Sequence, residues 1–227
     1  IAISLLWSIV NPRHELALKQ MVGEIAPGMF VSCSHELISK RGEYERAVGT
    51  AINCFIGPTM KKYVEKIEQN SAELGYKKPI LVLQANGGVV PSREVVSKPL
   101  YTISSGPAAG VTGSAFLCDS LGYKNAIIAD MGGTSFEAGI ICDGEPLSAS
   151  ETIINQYAFS MPRLDVESIG SGGGSILWVE EFSGTLKVGP QSAGADPGPA
   201  CYGKGVQPTI TDANLVLGIL NPDNFLG

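Results

Sequence analysis

The 227 residues are 44% hydrophobic and 17% charged, enough apolar content to offset the ordering entropy of folding and to exclude a disordered or acidic-tail protein. Sixteen Lys and Arg against 22 Asp and Glu leave a net charge of −6. No basic block exceeds two residues, so neither nucleic acid nor a membrane face is expected as a partner. The five cysteines, Cys33, Cys54, Cys118, Cys142 and Cys201, include no C-x-x-C pair, which fits a reducing, cytoplasmic setting better than a disulfide framework or a zinc ribbon.

Residues 1–10 are an apolar run broken by Ser4 and Ser8, too short to span a bilayer, and read as a buried strand. The first residue is Ile1 rather than Met, and the chain is expected to be a piece of a longer protein. Over 43–75, Val48, Ile52, Phe55, Ile56, Met60, Tyr63, Val64 and Ile67 recur at three- and four-residue steps, which predicts a helix burying that stripe. Pro58 should kink or divide it. The uninterrupted apolar stretches at 79–84 and 125–130 predict fully buried strands. Between them, Pro107 opens a small-residue helix reaching about Leu121. A further strand is expected over 136–142, closed by an Asp143-Gly144 hairpin turn. Thr211-Asp212 should cap a last helix running to about Leu220, before Asn221-Pro222. Helices alternating with buried strands make the class α/β, in two parts: a helix-rich one over about 1–105 and a second over about 106–227.

The sharpest local feature is Asp130-Met131-Gly132-Gly133-Thr134-Ser135-Phe136-Glu137. A strand delivers a carboxylate, two glycines allow a tight turn, two hydroxyls follow and a second strand leaves. Gly132 and Gly133 let backbone N–H groups approach phosphoryl oxygens, Thr134 and Ser135 add donors, and Asp130 suits magnesium as an oxygen ligand. The plainer alternative is a β-hairpin in which Asp130 only caps the turn.

The tract resembles the second phosphate-binding hairpin of the actin-like ATPases, with Ser105-Gly106-Pro107-Ala108-Ala109-Gly110-Val111 in the place of their hinge helix. More narrowly, NGGVVPSREVVSKPL, SSGPAAGVTGSAF, ADMGGTSFEAG, IGSGGGSILWVE, VGPQSAGADPGPACYG and TDANLVLG, in this order, resemble the central domain of the hydantoinase A / 5-oxoprolinase family. The resemblance implies an actin-like (ribonuclease H-like) fold, incomplete in this chain, and ATP-dependent chemistry on carbonyl compounds. One branch opens cyclic amides of the hydantoin or 5-oxoproline type by phosphorylating the amide oxygen; another contributes subunits of ketone carboxylases. It implies Asp130 as the catalytic carboxylate, Gly132, Gly133, Thr134 and Ser135 as ATP contacts, and Asp130 with Glu137 as magnesium ligands. It further implies a second large subunit of the hydantoinase B type. The family usually has Asp where this chain has Glu137. A first phosphate hairpin and an adenosine motif are expected upstream and downstream, so the chain would hold half a nucleotide site and be inactive alone. The alternative of another class is a non-catalytic actin-like scaffold.

Other candidates are weaker. The 169–175 segment resembles a G-x-G-x-x-G loop but leads into β-prone sequence, which argues against dinucleotide binding. Cys201, in a Pro- and Gly-rich loop, has no base nearby in sequence and reads as a packed thiol. His14 and His35 are too few for a histidine metal site, and His35 reads as a surface or satisfied core residue.

Overall fold

The computed structural model of the protein describes residues 1–224 and has the expected mixed α/β class. The chain opens with β1 (Ala2–Ile3), α1 (Arg13–Ile25), β2 (Ser32–Cys33), α2 (Ser34–Leu37) and the long helix α3 (Glu43–Glu73). Hairpin strands β3 (Leu81–Leu83) and β4 (Val89–Pro91), α4 (Ser92–Ser97) and α5 (Ser105–Ser120) follow. Next come β5 (Ala126–Met131), β6 (Phe136–Cys142), β7 (Glu145–Pro146), β8 (Ser148–Ala149), β9 (Thr152–Ile154), β10 (Tyr157–Phe159) and β11 (Arg163–Leu164). The last elements are β12 (Val166–Ile169), β13 (Ser175–Val179), β14 (Leu186–Ser192) and α6 (Ile210–Val216). Two units divide these residues: Ile1–Leu117 with Pro146–Asp165, and Cys118–Glu145 with the residues from Val166 on.

In the first unit, β1 runs parallel to β2, and Leu37, Ile38, Ala85, Leu100, Phe159 and Met161 form the apolar core. The interior beside α3 is polar. Arg46 donates to the carbonyls of Leu5 (2.8 Å) and Lys40 (3.4 Å). Asn53 donates to Ser32 Oγ and the Ser97 carbonyl and accepts from Leu100 N. Glu15, fully buried, accepts from Leu5 N (2.8 Å), Ser34 Oγ (2.7 Å), His35 N (3.1 Å) and His35 Nδ1 (2.6 Å). These side chains satisfy backbone groups that no sheet ladder reaches, which is why they are buried.

That network overturns one sequence expectation. Residues 1–10 are not a buried strand: only Ala2 and Ile3 pair, because the Leu5 backbone is claimed by Glu15 and Arg46 instead of a strand. The 43–75 helix exists but runs through Pro58 undivided. Of its expected stripe, Val64 is buried and Val48, Ile52, Ile56, Met60 and Ile67 are half-buried, with Val48 and Ile52 packed on the core, whereas Phe55 and Tyr63 are 85% and 61% exposed. Arg46, Thr50 and Asn53 are buried beside that stripe, placed by hydrogen bonding rather than hydropathy.

In the second unit, β12, β6 and β5 form an antiparallel sheet in that order, and β13 pairs with β14. Asp143 (φ 53°) and Gly144 (φ 90°) make the left-handed turn expected after β6. The expectation of fully buried strands fails: Ile127 is 80% exposed, and its face of the sheet also exposes Ile140 and Ile169, with no layer over it among the described residues. At 79–84 the strand shrinks to β3 in a two-stranded hairpin, with Leu81 exposed. The last helix ends at Val216 rather than near Leu220, because Gly218 adopts φ 72° and stops it.

Burial alone would raise the Glu15 carboxyl from its ordinary 4.5, but the bonds from His35, Ser34 and the Leu5 and His35 N–H groups outweigh that and hold it at about 2. A group depressed on folding contributes stability that is present above pH 4.5 and lost as pH falls toward 2. Glu15→Gln is therefore expected to cost about 3 kcal/mol at neutral pH and to flatten the acid limb of a urea-denaturation series. Parallel wild-type and variant limbs would contradict this.

Candidate functional site

The Asp130–Glu137 tract folds as β5, a four-residue turn and β6. The register pairs Asp130 with Glu137 and Glu137 with Ser168 of β12. Directly opposed residues project from the same sheet face with Cβ atoms about 4.5–5.5 Å apart, so two carboxylates and a hydroxyl form one row beside the turn. Glu137 accepts from Ser135 Oγ, and from Ser168 Oγ at 3.3 Å. Like charges directly opposed are destabilising, and a hard divalent cation is what two such carboxylates with adjacent hydroxyls suit. The donor set therefore fits magnesium. The structure brings all six sequence-derived residues, Asp130, Gly132, Gly133, Thr134, Ser135 and Glu137, into one turn and its two flanking strand ends.

The turn rests on the 170–174 segment. Gly173 N donates to the Gly132 carbonyl (2.9 Å) and Gly174 N to the Gly133 carbonyl (2.6 Å). The contact is closed to side chains: a Cβ on Gly172 would stand 2.5 Å from Ser135 N and 2.6 Å from Thr134 N and C. Gly132 N bonds the Ser135 carbonyl across the turn. The N–H groups of Gly133, Thr134 and Ser135 donate to nothing among the described residues. At Gly133 an added Cβ would meet nothing within 4 Å and the backbone is not left-handed, so the fold makes no demand for glycine there. Its own carbonyls tied back and its N–H groups unengaged, the turn presents hydrogen-bond donors of the kind that suit anionic oxygens.

Behind the loop stands α6. Thr211 N and Oγ1 both donate to the Gly173 carbonyl, at 2.9 and 2.8 Å. The helix cap is Thr209 rather than Thr211, with Asp212 completing a capping box. Asp212 Oδ2 also accepts from Ala200 N and Oδ1 from Cys201 N, pinning the 199–203 segment to the helix. Burial would raise the Asp212 carboxyl, but the Cys201 thiol, Cys201 N and Thr209 hold it at about 2. Burial, the bond to Asp212 and that carboxylate's charge push the Cys201 thiol up to about 11. A protonated thiol donating to a carboxylate is no nucleophile, in agreement with the packed reading of Cys201. As expected, 170–174 leads into a strand, β13, which is not dinucleotide-site topology.

A second cluster lies in the first unit, where Glu15, Cys33 and His35 bring their ligand atoms within 4.8 Å of one another. Without a metal, Glu15 accepts from Leu5 N, Ser34 Oγ, His35 N and His35 Nδ1, and burial first, then Glu36, pushes the Cys33 thiol up to about 11. His35 is thus a satisfied core residue.

The hydantoinase/oxoprolinase family profile matches residues 46–227. The chain belongs to that family. It is 40% identical over its full length to the caprolactamase alpha subunit of Pseudomonas jessenii and 38% identical over 99% of its length to 5-oxoprolinase of Saccharomyces cerevisiae. It covers 33% and 17% of those proteins, so it spans a third or less of their length. Its fold matches the nucleotide-free structure of acetone carboxylase, an ATP-dependent enzyme, with a TM-score of 0.83 at 33% identity, over 99% of this chain and 32% of that one. The sequence shows the turn but not its support: the glycine contact at 172–174 lies about 40 residues beyond it, and Thr211 and Asp212 nearly 80.

Gly172→Ala is expected to cost about 2 kcal/mol, because its Cβ meets backbone that cannot step aside, whereas Gly170→Ala, with nothing within 4 Å, should be near neutral. Equal melting temperatures for the two variants would contradict the seated-turn geometry.

Proposed function

We propose that this chain carries the second phosphate-binding hairpin of an actin-like ATPase site, used in the full-length protein to activate a cyclic-amide carbonyl by phosphorylation. One observation carries the reading: the turn offers three successive unengaged N–H groups while its glycine carbonyls are held by Gly173 and Gly174. In this reading the N–H groups of Gly133, Thr134 and Ser135 hold phosphoryl oxygens, Gly132, expected as a further contact, spends its N–H on the Ser135 carbonyl and shapes the turn instead, and Asp130 with Glu137 takes magnesium. ATP supplies the phosphoryl group, and magnesium the charge that lets its oxygens approach two carboxylates. The Ser135 and Ser168 hydroxyls fix the orientation of Glu137; Asp130, exposed at the mouth of the turn, would hold the metal that supplies positive charge to the reacting phosphoryl group. Donors held in place by a rigid backbone contact need no reorganisation as charge develops, which is where such sites gain rate.

An amide substrate is supported by the 40% identity to a caprolactamase subunit. A second reading, a subunit of a ketone carboxylase, is supported by the TM-score of 0.83 to acetone carboxylase against 0.73 to the caprolactamase structure. Both relatives point to ATP as the co-substrate, and the naming of relatives as alpha, beta and gamma subunits supports a second large subunit of the hydantoinase B type. Five free thiols support a reducing, cytoplasmic setting; among the described residues no helix is long and apolar enough to cross a membrane.

In the full-length protein, Gly133→Val is expected to weaken binding of a non-hydrolysable ATP analogue tenfold or more while leaving thermal stability within about 0.5 kcal/mol of wild type, since its Cβ enters open space. Thr134→Ser keeps the hydroxyl and should lose little affinity. Asp130→Asn should abolish the magnesium-dependent part of binding. Calorimetric titration reads all three, and an unaltered Gly133→Val affinity would contradict the reading.

A further inference from the structure

In the polar interior of the first unit, three side chains of metal-ligating chemistry converge. Glu15 stands in the first turn of α1, Cys33 ends β2 and His35 follows in α2. Their ligand atoms lie within 4.8 Å of one another. Helix α1 connects β1 to the parallel strand β2, so the group sits where that crossover returns to the sheet. Glu15 and Cys33 are fully buried, while the His35 side chain is 15% exposed and gives the cluster a way in from solvent.

The hydrogen bonds on Glu15 divide between its two oxygens. Oε1 accepts from Leu5 N and Ser34 Oγ, whereas Oε2 accepts from His35 N and is bonded to His35 Nδ1 at 2.6 Å. Cys33 Sγ, a weak donor, reaches the Glu15 carbonyl at 3.7 Å. A cation shared by Oε2, Nδ1 and Sγ displaces the Nδ1 bond and the thiol proton and leaves the bonds from Leu5, Ser34 and His35 N in place. Those three then orient the carboxylate from outside the coordination shell, as the outer partners of metal-bound carboxylates do. One oxygen, one imidazole nitrogen and one sulfur make a donor set of the zinc class, since magnesium and calcium take oxygen alone. Zinc held by one carboxylate and one thiolate carries no net charge. The Arg46 guanidinium, one hydroxyl away through Ser34 Oγ at 3.5 Å, then faces a neutral centre.

We infer that Glu15, Cys33 and His35 form a zinc site that fastens the start of α1 to the β2–α2 junction. Carboxylate Oε2, thiolate Sγ and imidazole Nδ1 are its ligands, with the imidazole proton on Nε2 and water in the fourth position. Binding breaks the Cys33 S–H bond and sends its proton to solvent, because a coordinated thiol is deprotonated outright; no electron is transferred. The site shares no residue with the phosphate turn, so neither reading depends on the other.

The test strips the full-length protein with a chelator and titrates it with cobalt(II), a visible stand-in for zinc, in saturating magnesium that keeps the Asp130–Glu137 carboxylates occupied. Wild type is expected to develop a thiolate-to-cobalt charge-transfer band that zinc abolishes by displacement, and zinc alone is expected to raise its melting temperature. Cys33→Ala should lose both the band and the zinc-dependent rise. His35→Gln should keep the thiolate but bind cobalt tenfold or more weakly, and it decides the matter where Cys33→Ala folds poorly. The other thiols of the chain are controlled by the same comparison, since any band they contribute survives in Cys33→Ala. No thiolate band in wild type, a band undiminished in Cys33→Ala, or unaltered cobalt affinity in His35→Gln would overturn the inference.

Discussion

Two glycine segments lie against each other at hydrogen-bonding distance in the second unit, and the candidate site depends on that contact. With Gly173 and Gly174 bonded to the carbonyls of Gly132 and Gly133, the turn is held from behind by backbone alone. Side-chain contacts would leave rotamer freedom at the turn; a backbone contact has little, and it leaves the opposite side of the turn open. Thr211 extends the brace to α6 through the Gly173 carbonyl, and Asp212 extends it to the 199–203 segment. A chain of backbone groups thus joins the turn to α6 without passing through an apolar core.

The first unit solves a different problem by related means. Its irregular connections leave backbone groups that no strand pairs, and Arg46, Asn53 and Glu15 reach in to satisfy them. Buried charges and amides are costly unless every partner is present. Their burial here therefore specifies where the 5–8 and 97–100 segments lie relative to α3, more than it adds net stability.

The turn was legible in the sequence because its signal is local: a strand, two glycines, two hydroxyls and a strand are neighbours along the chain, and β6 spans the expected 136–142. The α3 stripe was legible from Val48 to Ile67 apart from Phe55 and Tyr63, but the polar residues beside it were not, because Arg46, Thr50 and Asn53 are buried by hydrogen bonds that hydropathy does not register. The seat of the turn was not legible, since a glycine needed for close approach looks the same in sequence as one that punctuates a loop. Gly172 and Gly133 differ only in what a Cβ would meet.

The central claim is that the N–H groups of Gly133 and Thr134 receive phosphoryl oxygens beside a cation held by Asp130 and Glu137. A crystal structure of the full-length protein with manganese and a non-hydrolysable ATP analogue tests it most directly. The account predicts an anomalous peak between the two carboxylates and phosphoryl oxygens about 3 Å from the Gly133 and Thr134 nitrogens. An analogue whose phosphates bind elsewhere, with no metal peak at Asp130, would contradict it.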